Sequence, residues 1–146
     1  MLKGIDPILP PELLMHLSAM GHGEWVVVVD ANFTAQMLSP GKALVRIPGL
    51  SLARVSAAVL SVFPLADDVA SPAAYMHNGN PDPSFRTEAQ QQVVDQLQVL
   101  GLDPKRVEAV ERYAFYEKVR GASVIVQSGE TTAYGNAMFC KGVIIY

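Results

Sequence analysis

Two side chains suited to proton transfer flank a strongly apolar stretch near the start of the chain. His22 lies in the glycine-flanked turn Gly21-His22-Gly23, and Asp30 follows the run Trp25–Val29. An imidazole titrates near neutral pH and exchanges protons readily, and a carboxylate after a buried strand lies where α/β sheets usually bind ligands. The intervening strand would span roughly 23 Å if fully extended. The two side chains can therefore share a site only if the turn folds back or if another subunit supplies one of them; otherwise His22 is an ordinary turn residue.

Two later stretches carry groups that could hold a polar ligand. Arg112 has a forked guanidinium suited to binding oxygen atoms, although a weak surface ion pair with a neighbouring glutamate is the simpler explanation. Tyr134-Gly135-Asn136 offers a hydroxyl, close backbone approach and an amide that both donates and accepts. This mixture suits a ligand rich in hydroxyl groups, and it equally suits an ordinary turn before a strand.

Several other kinds of site have no support in the sequence. The three histidines, His16, His22 and His77, are scattered without HxH or HExxH spacing, so we expect no metal site. No phosphate-binding loop or nucleophilic triad can be singled out, and we expect no cofactor. The net charge is −3 and no Lys/Arg run occurs, which argues against a nucleic-acid partner.

The composition of the chain indicates its cellular compartment and its tendency to assemble. Half of the residues are hydrophobic, only 17% are charged, and the mean hydropathy is +0.23. Such a chain buries strands on both faces, contacts other subunits, or does both. The single Cys140 cannot form an internal disulfide, which favours a reducing compartment. No apolar stretch approaches the length of a membrane span and the N-terminus lacks a signal-peptide pattern, so we predict a cytoplasmic protein that does not associate with membranes.

The elements that must position these residues alternate along the chain. A helix is predicted from Pro10-Pro11-Glu12 to a stop at Gly21, and the unbroken β-branched run Trp25–Val29 is typical of a central parallel strand. The further predicted helices cover 51–63, 85–100 and 115–119, and the further predicted strands cover 43–47, 73–76, 123–127 and 138–146. This order predicts one α/β layered domain over residues 1–146 with a mainly parallel sheet.

Taken in order, the three polar stretches resemble the fucose mutarotase/ribose pyranase family. The opening segment, from 11–14 through Gly21-His22-Gly23 to 30–33, is similar to the first motif of that family. Segment 112–117, Arg-Tyr-Ala-Phe-Tyr-Glu, resembles the fucose branch, and Ser-Gly-Glu at 128–130 with Tyr134-Gly135-Asn136 resembles the closing motif. The resemblance spans essentially the whole chain.

Three positions depart from the pattern of the family. Thr34 stands where a proline is usual, Glu24 replaces a common aspartate, and segment 75–79, Tyr-Met-His-Asn-Gly, matches the fucose branch poorly. Because that last loop could line the pocket, these departures leave the identity of the sugar open.

The resemblance implies a cofactor-independent isomerase that interconverts the α and β anomers of a monosaccharide, with a fucose-like sugar favoured. It further implies a three-layer α/β subunit in a ring oligomer, commonly a decamer of two stacked pentamers, with active sites at subunit boundaries. By position, the resemblance makes one residue catalytic, His22, and four residues sugar-binding: Asp30, Arg112, Tyr134 and Asn136.

Other functions share the same polar residues. A monosaccharide-binding protein without catalysis, such as an accessory to sugar uptake, would need every one of them, and a ribose pyranase-type activity would need most. A structural ring-forming protein would use them as turns and ion pairs, and a metal hydrolase is the least favoured alternative.

Overall fold

Five of the six strands in the central sheet point the same way. The computed structural model describes all 146 residues. In chain order, the strands are β1 Trp25–Val29, β2 Ala43–Ile47, β3 Ala73–Met76, β4 Val107–Val110, β5 Val124–Ser128 and β6 Ala137–Cys140. They are arranged in the sheet as β2-β5-β1-β6-β3-β4, and only β6 runs antiparallel to both of its neighbours. The sheet is therefore mainly parallel, as the sequence predicted, with one reversed strand near its middle.

Strand β1 is covered on both faces. Val26 and Val28 point into the larger of two apolar clusters, whereas Val27 and Val29 point into the smaller one, and all four are fully buried. Successive side chains of a strand face opposite sides of the sheet. An unbroken valine run is thus what a strand between two apolar layers requires.

Helices cover both faces of the sheet and make the domain three layers thick. The helices are α1 Pro11–Ala19, α2 Ala35–Leu38, α3 Leu52–Leu60, α4 Glu88–Val99 and α5 Arg112–Arg120. Buried residues of α1, α3 and α4 join the larger cluster, and those of α2 and α5 join the smaller one. None of these helices is long and apolar enough to cross a membrane.

Side-chain caps determine where two of the helices begin. The Ser51 side chain accepts a hydrogen bond from the Arg54 amide, so α3 begins where the sequence predicted. In α4, Thr87 and Gln90 form a reciprocal capping box. This cap moves the start of the helix to Glu88, three residues after the predicted position.

The predicted strand 138–146 is wrong in its second half. Strand β6 ends at Cys140, which pairs with Trp25 at the start of β1. Lys141 still shares backbone hydrogen bonds with Gly23 and Glu24 and forms an isolated bridge with Leu65. Gly142 donates its amide proton to the Pro64 carbonyl. Beyond Gly142 no backbone hydrogen bond holds the chain, so residues 143–146 lie outside the sheet.

Candidate functional site

A polar cleft opens at the carboxyl edge of the sheet, where β1, β3 and β4 end and β6 begins. Its volume is about 330 Å³, which is of the size that holds a small ligand. The lining residues are Asp30, Asn32, Phe33, Thr34, Met76, Arg112, Tyr116, Thr131, Ala133, Tyr134 and Asn136. Four of the five residues singled out in the sequence therefore share one cleft.

Asp30 is a buried acid at the end of β1, with 6% of its surface exposed. Its Oδ1 accepts the Asn32 amide proton over 2.9 Å. Burial raises the pKa of the Asp30 carboxyl above its ordinary value, because desolvation disfavours the charged form. The nearby Glu130 carboxylate adds to this increase, while the hydrogen bonds from Asn32 and Asn136 oppose it.

Asn136 joins the start of β6 to the end of β1. Its Oδ1 accepts the Asp30 backbone amide proton over 2.9 Å, and its Nδ2 donates to the Met76 sulfur over 3.8 Å. A sulfur atom is a weak acceptor. The buried amide NH₂ of Asn136 therefore retains donor capacity beside the cleft.

Tyr134 reaches the cleft through an uncommon backbone conformation. Its φ is 62°, and it is the only residue other than glycine with a positive φ. Its carbonyl accepts a hydrogen bond from Nε2 of Gln90, a fully buried residue, over 2.7 Å. Gly135 follows, where a Cβ atom would lie only 2.7 Å from the Glu130 side chain. Glycine is required there by close packing.

Arg112 begins α5 and is not in the ion pair that its sequence neighbours suggested. The Glu111 carboxylate instead accepts backbone protons at the start of α5, and Glu117 pairs with Arg120. The Nε of Arg112 donates to the Tyr116 hydroxyl over 2.9 Å, and this hydrogen bond raises the pKa of the guanidinium. The remaining guanidinium nitrogens form no salt bridge and can donate to ligand oxygen atoms.

His22 lies at the opposite end of β1 from this cleft. The five-residue strand separates the two ends by about 17 Å. The Nε2 of His22 is 3.0 Å from both carboxylate oxygens of Asp68, and both side chains are about half exposed. The hydrogen bond to His22 lowers the pKa of the Asp68 carboxyl. One chain therefore contains a histidine–carboxylate pair and a polar cleft, separated by the length of a strand.

The loop that carries Asp68 is held by Arg106. The guanidinium of Arg106 donates to three carbonyl oxygens, those of Asp67, Val69 and Ala70, over 2.7 to 3.2 Å. These carbonyls lie on both sides of Asp68 in the chain. Arg106 thus determines where the loop presents the Asp68 carboxylate to His22.

Asp68, the partner of His22, and Tyr116, the partner of Arg112, were not singled out from the sequence. Asp68 is 46 positions from His22, and no spacing rule connects residues so far apart. Tyr116 was visible as one aromatic of the Arg112 segment, four residues later on the same helix. That spacing places two side chains side by side, so the Arg112–Tyr116 contact could have been predicted.

A second, larger cavity has different chemistry. A groove of about 520 Å³ lies between the N-terminal segment and α1, and most of its lining is hydrophobic. Asp6 is its one acid, and that carboxylate is paired with Arg54. Such a groove offers little to a ligand rich in hydroxyl groups. No group of three or more His, Cys, Asp or Glu side chains is placed to hold a metal ion.

Comparison with known proteins gives consistent matches over nearly the full length. Fucose mutarotase of Danio rerio is 38% identical over 146 residues, covering 98% of this chain and 94% of that protein. L-fucose mutarotase of Actinobacillus pleuropneumoniae is 36% identical and covers 98% of this chain and 97% of that protein. The crystal structure of fucose mutarotase from Streptococcus pneumoniae in complex with L-fucose matches with a TM-score of 0.90 at 30% identity, over 99% of this chain and 100% of that one.

A family model gives the same assignment. The model of the RbsD / FucU transport protein family matches residues 3–144. The resemblance found in the sequence is thereby confirmed. With a family match over almost every residue and relatives well above 30% identity, this chain belongs to the RbsD / FucU family.

Proposed function

We propose that this protein is a cofactor-independent sugar mutarotase, an isomerase that interconverts the α and β anomers of a monosaccharide, with an L-fucose-like sugar as substrate. The observation that carries the proposal is the cleft lined by Asp30, Arg112, Tyr134 and Asn136. Its support is the similarity to proteins named fucose mutarotase and to the structure solved with L-fucose.

The cleft residues suit the hydroxyl groups of a sugar in different ways. Asp30 accepts hydrogen bonds from hydroxyls, whereas the guanidinium of Arg112 and the amide NH₂ of Asn136 donate to their oxygen atoms. The Tyr134 hydroxyl can do both and can orient or relay a proton. The Phe33 ring, packed edge-to-face on Tyr116 with centroids 5.6 Å apart, gives the cleft an apolar wall.

Mutarotation needs two proton transfers and no redox step. A base removes the proton of the anomeric hydroxyl, the bond between C1 and the ring oxygen breaks, and an acid protonates that oxygen. The open aldehyde turns about its C1–C2 bond, and the reverse transfers close the ring on the other face. We assign the acid/base role to His22, with Asp68 accepting the hydrogen bond of its imidazole.

This assignment requires more than one subunit in each site. His22 and Asp68 of one protomer would complete the cleft of a neighbour, as in the decamer of two stacked pentameric rings that we propose. Apolar residues available for subunit contact support such an assembly. Val143, Ile144, Ile145 and Tyr146 are all more than half exposed, as are Leu2, Met15 and Met37. A cytoplasmic location stays a prediction from the sequence.

Anomer exchange measured by saturation-transfer NMR tests the proposal. The protein is expected to accelerate exchange of L-fucose more than that of ribose or galactose, and His22→Ala is expected to lose roughly 10²- to 10⁴-fold of this acceleration. His16→Ala is the matched control, because His16 lies on α1, outside both the cleft and the His22–Asp68 pair. Exchange of fucose at the native rate by His22→Ala would refute the assignment of His22, and faster exchange of ribose would favour a ribose pyranase-type activity.

Two observations favour a second candidate, a monosaccharide-binding protein without catalysis. The family description names transport, and within one chain the cleft contains binding groups while His22 lies elsewhere. Calorimetric titration with L-fucose separates the two candidates when combined with the exchange measurement. Binding without any gain in exchange over buffer selects the second candidate.

A further inference from the structure

The loop after β3 contains an Asn-Gly pair that the proposed sugar chemistry does not use. Asn78 is followed by Gly79, which has a φ of +82° and open space where a Cβ would lie. In such a pair, no side chain shields the glycine nitrogen from the neighbouring amide carbon. The Gly79 backbone nitrogen can therefore attack the side-chain carbonyl carbon of Asn78.

The His77 imidazole is positioned as a base for that attack. The Gly79 amide proton is donated to His77 Nδ1 over 3.1 Å. His77 Nε2 lies 2.9 Å from the Asp82 carbonyl oxygen, which can only accept, so Nε2 carries the imidazole proton. Nδ1 must then present its lone pair to Gly79, which is the arrangement of general base catalysis.

The Asn78 side chain is polarised by a second hydrogen bond. Its Oδ1 accepts the Asn80 amide proton over 3.0 Å. Attack at the side-chain carbon moves negative charge onto this oxygen. A backbone amide already directed at it stabilises that charge.

We propose that Asn78 is a self-deamidation site. The Gly79 nitrogen bonds to Asn78 Cγ while its proton passes to His77 Nδ1. The bond from Cγ to the side-chain nitrogen breaks, and the imidazolium returns the proton so that ammonia leaves. Water then opens the succinimide ring at either carbonyl, giving an aspartyl or an isoaspartyl residue.

The product places a new charge close to the cleft. Asn78 is two residues after Met76, which lines the cleft, and the neighbouring His77 amide donates to the end of β4 at Val110. An isoaspartyl residue also adds one methylene to the main chain, which displaces Gly79 from His77. The loop would thus be altered once and irreversibly in each molecule.

Peptide mapping by mass spectrometry tests the proposal on the intact protein incubated at neutral pH in heavy-oxygen water. Asn78 is expected to gain a heavy-oxygen carboxylate ahead of Asn32 and Asn136. Asn80 provides a control within the same loop, because Pro81 has no N–H to deprotonate. Asn78→Gln is expected to stop conversion in this loop, since its longer side chain needs a different ring size.

Two variants isolate the role of the imidazole. His77→Ala is expected to slow the conversion roughly 10²-fold, the lower end of the range for a positioned base. His77→Gln keeps an acceptor for the Gly79 proton without being basic, and it is expected to slow conversion equally while the melting temperature stays unchanged. Conversion at the native rate in a folded His77→Gln protein, or conversion of Asn78 no faster than that of Asn32, overturns the proposal.

Discussion

Asp30 combines two demands that oppose each other. The fold buries its carboxyl, which disfavours the charged form, while a sugar hydroxyl is bound best by a carboxylate. Hydrogen bonds from the Asn32 amide and the Asn136 side chain offset part of the effect of burial on the Asp30 pKa. Such an opposition is common where function competes with stability.

Replacing Asp30 with asparagine is therefore expected to stabilise the protein and weaken its function. The folded pKa lies above the unfolded one, so the native state binds more protons and stability falls as the pH rises through the interval between them. At pH 7, Asp30→Asn should melt at a higher temperature than the native protein. This gain should vanish as the pH falls below 3.8, the ordinary pKa of the group.

The same variant should lose about 1.5–3 kcal/mol of sugar binding, the value of a hydrogen bond to a charged group. Thermal unfolding across pH and titration with L-fucose measure the two effects. Asp95→Asn, at an exposed position of α4, should change neither. Equal melting temperatures of Asp30→Asn and native protein at pH 7 would contradict the argument from burial.

At the scale of elements, Gln90 connects α4 with the cleft. Its Oε1 completes the capping box, and its Nε2 donates to the carbonyls of Met76 and Tyr134 over 2.6 and 2.7 Å. Gln90→Met leaves two carbonyls without their donor, and each loss of this kind costs about 1–3 kcal/mol. The free energy of unfolding should fall by at least that much, and the KM for fucose should rise because Tyr134 is released.

Gln92→Met is the matched control, since Gln92 is exposed on the same helix. Chemical denaturation and exchange kinetics measure the two consequences. A Gln90→Met protein with native KM would mean that the loop holds Tyr134 without help from α4.

Arg106 makes a second connection between elements, from the end of the 3₁₀ turn Pro104–Arg106 to the loop of Asp68. A lysine cannot reproduce the planar fork that binds several carbonyls together. Arg106→Lys should lower the exchange rate about tenfold by misplacing Asp68, and the pKa of Asp68 should rise towards its ordinary value as the bond to His22 weakens. NMR titration of the carboxyl group follows this change.

Arg120→Lys is the control for the substitution itself, because Arg120 forms only a surface pair with Glu117. If Arg106→Lys loses activity while the Asp68 pKa stays low, Arg106 acts through general stability and not through the His22–Asp68 pair.

The elements with strong local signals were predictable, and those defined by distant contacts were not. The run Trp25–Val29 specifies β1 by itself, and Ser51 marks the start of α3. Strand β4 was missed because two of its four residues are exposed and it lies at the sheet edge. Helix α2 is a single turn, and its hydrophobic pattern is too short to be recognised in the sequence.

In the site, too, features with a local sequence pattern could be predicted, and those that depend on distant contacts could not. The polar residues at strand ends could be predicted as ligand-binding, because the carboxyl ends of parallel strands share one edge. That β6 is reversed, so that Asn136 just before it lies at this edge, has no signature in the residues. The pairing of His22 with Asp68 joins distant loops, and only the folded chain reveals it.

Mixing inactive variants tests whether each proposed site is shared between subunits. His22→Ala and Asp30→Ala should each be inactive, but if His22 of one subunit serves the cleft of another, mixed assemblies contain some intact sites. With equal amounts and random exchange, up to about one site in four is complete. Activity should therefore reappear when the two proteins are dissociated and reassembled together.

A His22→Ala/Asp30→Ala double variant mixed with the His22→Ala protein is the control, since no subunit then supplies His22. The mass of the assembly, from sedimentation or light scattering, shows whether mixing occurred. Mixed assemblies without activity would show that both residues serve the same chain, contrary to the proposal.

The reversed strand β6 has a consequence for synthesis on the ribosome. It joins β2-β5-β1 to β3-β4, and it is also the last strand in the chain. A nascent chain can pair β3 with β4 early, but it has no bridge between the two halves until β6, made after the other five strands, leaves the exit tunnel. The open edges of β1 and β3 are exposed throughout this interval. Closure of the sheet thus waits for the last of the six strands, and a message truncated before Ala137 yields two half-sheets with unpaired edges instead of a shortened protein.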